Sequence, residues 1–143
     1  MQLSHDSLAI GLLLIRVILG VVFFAHGAQK VLGWFGGFGL QGTVGYFKNA
    51  LHIPVPLGYL AAFTEFLGGI ALVVGLFTKE ASLGLFITML VATFAAHRKV
   101  GFFMNWGNQA DRGEGFEYSL TLAVAALALV FLGAGAYGLD AIL

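Results

Sequence analysis

The sequence contains no cysteine, only two prolines, and charged residues at just 10% of positions. Without cysteine there can be no disulfide, thiolate metal site, sulfur relay or CxxC exchange on this polypeptide. Any redox role must therefore use a bound molecule or a partner. The two prolines, Pro54 and Pro56, stand together and mark the entry to one apolar stretch. The scarcity of charge, beside 59% hydrophobic residues over 143 positions and a mean hydropathy of +0.95, lies far from soluble domains, in which about a quarter of residues are charged. A chain of this composition belongs in a bilayer, with lipid as its surroundings. Seven basic residues balance seven acidic ones, and no cluster of Lys or Arg marks a nucleic-acid footprint, so nucleic acid is not an expected partner.

Four apolar stretches approach the roughly 20 residues that span a bilayer as a helix. They cover residues 8–32, 57–77, 81–97 and 116–136 of one domain, 1–143. The first is long, contains Arg16 and has no Lys or Arg ahead of it, so it reads as a retained span and not as a cleaved leader. Only Thr78, Lys79 and Glu80 lie between the second stretch and the third, which predicts a tight antiparallel hairpin and both termini on one side. The two long connections then lie together at the other end. Within the first of them, Leu40, Val44, Phe47 and Leu51 recur at helical spacing, which predicts a short helix lying on the membrane surface. The expected fold is an all-α, integral membrane bundle of four transmembrane helices with this interfacial helix between the first two. Lys48, Arg98, Lys99 and Arg112 on the long-loop side, against Lys79 on the hairpin side, place both termini outside the cytoplasm.

Charge inside the apolar stretches is the informative signal, because an ionised group at the bilayer centre costs several kcal/mol unless paired or hydrated. The run VVFFAHGAQKVLGWFGG carries His26 and Lys30, and Arg16 precedes it, with no acidic residue between Asp6 and Glu65. At 100° per residue Arg16, His26 and Lys30 fall within an arc of roughly 80° on one helix face. Glu65 sits on a stripe of small residues, Gly58, Ala61, Ala62, Gly68 and Gly69, that lets another helix approach closely. At about 1.5 Å per residue from the loop end, His26 is about 9 Å deep, Glu65 about 12 Å and Arg16 about 24 Å. The expectation is one polar pocket at the loop end, with Glu65 and, at its mouth, Glu117 as acidic partners, and Arg16 leaning toward Glu65 as a buried pair. No metal-ligand cluster is expected.

These residues carry a resemblance. Arg16 followed by Gly27-x-x-Lys30, the Pro54 and Pro56 pair, Glu65 with Gly68, GLFT at 75–78, FFMN at 102–105, and Glu117 ahead of a last apolar stretch ending in GAGAYGLD resemble the DoxX family of small membrane proteins. The resemblance spans nearly the whole chain and implies a bundle of four transmembrane helices. It also implies a link to quinone-associated sulfur oxidation, as in subunits of thiosulfate:quinone oxidoreductases, or to membrane redox-stress complexes. The expected location is the cytoplasmic, or inner, membrane of a bacterium or archaeon.

Three classes of function stay open on the sequence. In the first, the chain is a quinone-linked redox subunit. Trp34, Phe102, Phe103 and Trp106 would rim the pocket, His26 and Lys30 would donate to a quinone oxygen, and Glu65 or Glu117 would exchange protons. Arg16, His97 and Asn105 join Trp34 and Phe103 as cofactor-binding candidates. No GxGxxG fingerprint is present, so a redox partner protein would supply electrons, and whether the chain is itself an enzyme stays open. The second class is a non-enzymatic scaffold or small-solute carrier, for which a homo-oligomer is compatible. The third and weakest is a haem-binding protein, with His26 and His97 as axial ligands.

Overall fold

The computed structural model describes residues 4–143. Among these there are five α-helices and no strand. Helix α1 (His5–Val31) opens on Ser4, whose hydroxyl accepts from the Ser7 amide at 3.2 Å, with Asp6 in the first turn. A 3-10 turn (Trp34–Gly36) leads to α2 (Gly39–Ala50), the short helix read from the spacing of Leu40, Val44 and Phe47. Helix α3 (Val55–Val74) begins at the proline pair and stops at Gly75, whose φ of +72° gives the left-handed residue that commonly closes a helix. Helix α4 (Thr78–Ala92) runs on into a π turn (Thr93–His97), and α5 (Glu117–Leu132) ends where Gly133 turns to a φ of +71°.

The helix ends differ from the sequence expectation by a few residues throughout, α1 starting at His5 and α3 ending at Val74, and two of the differences have an identifiable local cause. The third stretch becomes helical at Thr78 instead of residue 81, because the Asp140 carboxylate accepts the Phe77 amide at 2.7 Å and the Thr78 amide at 2.9 Å. A cap supplied from a distant part of the chain draws Lys79 and Glu80 into the first turn. The last stretch ends at Leu132 and not at 136, because of Gly133. Helices His5–Val31, Val55–Val74 and the joined segment Thr78–His97 are long and apolar enough to cross a membrane. Helix α5 is apolar but has 16 residues, about 24 Å of rise.

Polarity is inverted relative to a soluble bundle. Leu14, Ile18, Leu60, Leu67, Val124 and Phe131 point outward and are exposed, whereas Arg16, Glu65, Thr78, Ser82, Thr93 and Ser119 are buried. The interior is filled by Phe23 and Leu19 from α1, Leu72 from α3, Leu85 from α4, and Ala126 and Leu129 from α5. Helices α1 and α3 meet with their backbones almost touching. A Cβ at Gly27 would lie closer than 3.0 Å to the backbone of Phe66, and one at Gly69 closer than 3.0 Å to the backbone of Phe24.

The expected pairing of Arg16 with Glu65 is not formed. The Arg16 guanidinium turns to the hairpin end, where it donates to the carbonyls of Leu72 at 2.5 Å and Val73 at 2.8 Å, and to that of Tyr137 at 3.0 Å. The roughly 12 Å of depth between Arg16 and Glu65 decides this. The carbonyls in the last turn of α3 have no partner within the helix and lie within reach. Tyr137 belongs to the segment after α5 that returns across the hairpin, where the Asp140 amide donates to Gly75 at 2.8 Å. The start of α1, the segment after α5, the 75–77 turn and Arg16 thus gather at one end of the bundle, and the two long connections gather at the other.

Two outcomes follow. Gly27→Ala places a methyl group against the Phe66 backbone and should lower stability by about 1–3 kcal/mol. Gly11→Ala on the same helix, where a Cβ meets nothing within 4 Å, should be neutral or stabilise by up to about 1 kcal/mol through helix propensity. Melting curves in detergent check both, and equal effects would refute the close-approach account.

The second outcome concerns Asp140. Burial would raise its carboxyl, but the hydrogen bonds from Thr78 and Phe77 and the charge of Arg16 prevail and hold it below the ordinary carboxylate range. A pKa depressed by folding contributes stability above the unfolded value, which is lost as pH falls through the folded one. The stability gap between wild type and Asp140→Asn should be full near pH 6 and close below about pH 3.9. A gap that does not vary with pH would show that the carboxylate charge is not what caps α4.

Candidate functional site

The loop end holds a cavity of about 380 Å³. Its wall is mainly apolar, with Phe23 from α1, Phe47 from α2, Ala61 from α3, Met89 and Ala92 from α4, and Leu122 from α5. A small set of polar groups enters this wall: His26 and Lys30 from α1, Glu65 from α3, His97 from the π turn, Glu114 from the last loop and Tyr118 from α5. A few polar groups converging on an apolar concavity is the usual form of a small-molecule site.

Lys30 and Glu65 form an ion pair, the only one among the described residues. Their meeting follows from the close crossing of α1 and α3, since Lys30 lies three residues beyond Gly27 and Glu65 is next to Phe66, the residue Gly27 faces. The Glu65 side chain is 4% exposed and that of Lys30 24%, so the carboxylate is the buried member and the ammonium reaches toward water. His26, one helical turn before Lys30, faces Tyr118 across the cavity, with the rings 6.0 Å apart and the Tyr118 hydroxyl 3.5 Å from His26 Nε2.

The other wall is built by the π turn and the 98–116 loop. The Arg98 amide donates to the Thr93 carbonyl at 2.8 Å, the five-residue bond that defines the π turn. The Thr93 hydroxyl bonds the Met89 carbonyl at 2.8 Å and pairs with the Ser119 hydroxyl at 2.8 Å, which fixes this turn against α5. His97 Nδ1 lies 3.0 Å from the Glu114 carbonyl oxygen.

Of the residues singled out from sequence, His26, Lys30, Glu65 and His97 come together on this cavity. Arg16, Trp34, Phe103, Asn105 and Glu117 do not reach its wall. Arg16 is engaged at the opposite end, and Trp34 and Phe103 are exposed at the surface. Asn105 builds the loop: its amide donates to Glu114 at 2.7 Å, and its side chain donates to the carbonyls of Gln109 and Arg112. Glu117 accepts the Met104 amide at 2.8 Å and the Trp106 indole N–H at 2.9 Å, so it anchors the loop and not the mouth of the pocket. Sequence reasoning missed Tyr118, Ser119 and Glu114. The spacing of Tyr118, Ser119 and Leu122, which fall within an arc of about 100° on α5, was the available signal, and Glu117 lies about 100° outside that arc. Among the described residues no group of three or more His, Asp or Glu is placed to hold a metal ion.

An all-helical chain with exposed apolar faces, buried polar groups and an ion pair beside an apolar cavity is a membrane protein of small-bundle type. The family model described as DoxX matches residues 11–98, and the chain belongs to the DoxX family. It is similar to a Bacillus subtilis (strain 168) protein named "Putative oxidoreductase CatD", with 32% identity over 125 residues that cover 87% of this chain and 82% of that protein. It is also similar to an uncharacterized protein of Haemophilus influenzae, with 33% identity over 128 residues, 88% of this chain and 85% of the relative. No solved structure matches the chain.

The unequal exposure of the ion pair has a measurable consequence. Lys30→Met leaves Glu65 buried without a partner and should cost about 3–5 kcal/mol, whereas Glu65→Gln leaves an ammonium that can reach water and should cost clearly less. The double variant should recover most of the loss from Lys30→Met. Thermal unfolding in detergent reads all three, and equal single-variant losses would contradict the assignment of Glu65 as the buried member.

Proposed function

We propose that the chain is a quinone-linked redox subunit of a bacterial or archaeal cytoplasmic membrane, crossing it four times. In this reading α5 is the fourth span, with its shortness made up by the segment that folds back at Gly133, and α2 lies at the membrane interface beside the loop-end cavity. Trp34, Phe35, Phe38, Phe103 and Trp106 are all exposed at this end of the bundle, where aromatic side chains suit the headgroup level.

The observation that carries the reading is the cavity itself. About 380 Å³ of mainly apolar space suits a flat, uncharged ring, and the few polar groups on its wall suit the ring oxygens. Lys30 and Glu65 cancel in charge, which favours a neutral ligand over an anion. The Lys30 ammonium and the Tyr118 hydroxyl can donate to an oxygen that gains negative charge on reduction, and His26 stands where it can exchange a proton with that oxygen. The name of the Bacillus relative contains the word oxidoreductase, which agrees with this class of chemistry. The quinone would supply the two-electron chemistry when bound. The chain's own residues bind the ring, shield it from water and handle protons, and electrons come from a redox partner protein.

The test is binding of decylubiquinone to the protein in lipid nanodiscs. His26→Gln and Tyr118→Phe should each weaken binding by roughly threefold to tenfold, the worth of about one hydrogen bond, with melting temperatures near wild type. Lys48→Gln on the exposed face of α2 should change nothing. Absence of quinone binding, or equal effects from Lys48→Gln and His26→Gln, would turn the assignment to a non-enzymatic scaffold or solute carrier.

A further inference from the structure

His97 owes its place on the cavity to the π turn. Along α4 the stripe facing the cavity runs through Met89 and Ala92, and regular α spacing would continue it through Ala96 and then leave it. The extra residue in the 93–97 turn delays the stripe by one position, so that His97 joins Ala96 in the wall. The turn is held in this form by the Thr93 and Ser119 hydroxyls, both buried between α4 and α5.

The partner of His97 then fixes the character of its other nitrogen. The atom 3.0 Å from Nδ1 is the Glu114 carbonyl oxygen, which can only accept, so Nδ1 carries the hydrogen. In the neutral imidazole Nε2 is therefore an unprotonated acceptor. The described residues provide Nε2 with no hydrogen-bond partner. Elsewhere on the wall the Lys30 ammonium and the Tyr118 hydroxyl can donate, the Glu65 carboxylate is occupied by Lys30, Glu114 Oε2 accepts the Asn105 amide, and His26 Nε2 faces the Tyr118 hydroxyl. His97 Nε2 is thus a neutral acceptor that the chain itself leaves open.

We infer that His97 is a specificity residue that accepts a hydrogen bond from a ring hydroxyl, so that the cavity discriminates in favour of the hydroxyl-bearing, quinol form of its ligand. This rests on the quinone reading above and adds to it the redox form that the site prefers. A quinone offers only acceptors and leaves Nε2 unpaired. A quinol or other para-hydroxylated ring satisfies Nε2 at one end while its second oxygen meets Lys30 or Tyr118.

The experiment compares three probes of nearly equal shape under anaerobic conditions: duroquinol, its dimethyl ether and duroquinone. Their dissociation constants are measured on the intact protein in nanodiscs. Wild type should bind duroquinol about five- to tenfold more tightly than the ether. His97→Asn keeps an N–H where Nδ1 donates to Glu114 but has nothing at the Nε2 position, and should bring that ratio to about one. His97→Gln restores an acceptor at the Nε2 position and should recover most of the preference. A structural role for His97 would change the affinity for all three probes together and leave the ratio alone. If duroquinone and duroquinol bind and the ratio is the same in wild type and His97→Asn, the role of His97 is refuted and the quinone reading stands. If none of the three probes binds, both fall.

Discussion

Two helix backbones can touch only where neither carries a Cβ in the way, and the crossing of α1 and α3 meets that condition at Gly27 over Phe66 and at Gly69 over Phe24. In a bilayer this matters more than in water, because lipid is as apolar as the side chains and helices gain little by merely hiding leucine from it. Close contact supplies the dispersion attraction that holds the pair together. It also fixes the register of α1 on α3. Lys30 is placed opposite Glu65 because Gly27 is placed opposite Phe66, and the floor of the cavity follows from that one alignment.

Helix α1 carries two cations on its inner face, Arg16 fully buried and Lys30 partly so, and the bundle treats them differently. At the hairpin end Arg16 is surrounded by fixed acceptors, three backbone carbonyls from α3 and the C-terminal segment, and Asp140 nearby caps α4. Five-donor guanidinium geometry suits several carbonyls at once, which a compact ammonium could not span. This end is closed by its own chain. At the loop end Lys30 has a single carboxylate partner and an open cavity beside it, so its remaining donors are free for something else. The difference between a clamp and a site lies in what surrounds each cation: Arg16 is held by carbonyls of its own chain, although its buried Nε has no partner, whereas Lys30 stands beside open space.

Much of this was legible in the sequence. Composition gave the class, the small residues around Glu65 marked a tight helix contact, and the helical face shared by His26 and Lys30 marked the side of α1 that lines the cavity. The DoxX resemblance, drawn from Arg16, Gly27, Lys30 and Glu65 among others, is confirmed by the family match over residues 11–98. The failures have a common origin in geometry that spacing does not encode. Arg16 was assigned to Glu65 by charge, but unpaired carbonyls at a helix end are invisible in a residue string. Charge singles out Glu117 in the sequence and passes over Tyr118, although one residue of helix rotation gives the carboxylate to the loop and the phenol to the cavity. The cap that Asp140 places on α4 joins residues 62 positions apart, beyond any local pattern.

The π turn shows how a helix that spans a membrane can also carry a polar side chain into a cavity. An uninterrupted α-helix repeats its faces, so a position that follows an apolar lining residue by one helical turn tends to be lining as well, and the choice of what faces the cavity is made for the whole stripe at once. Inserting one residue breaks that repeat at a single place. Before the turn α4 presents Leu85 and Met89 to the core, and after it the chain presents His97 to the cavity and hands its Nδ1 to the loop. The cost of a turn with poorer hydrogen bonding is met by the Thr93 and Ser119 hydroxyls, which need a partner inside an apolar bundle in any case. A buried pair of hydroxyls, unremarkable as polar glue between two helices, thereby sets which atom the cavity offers to its ligand.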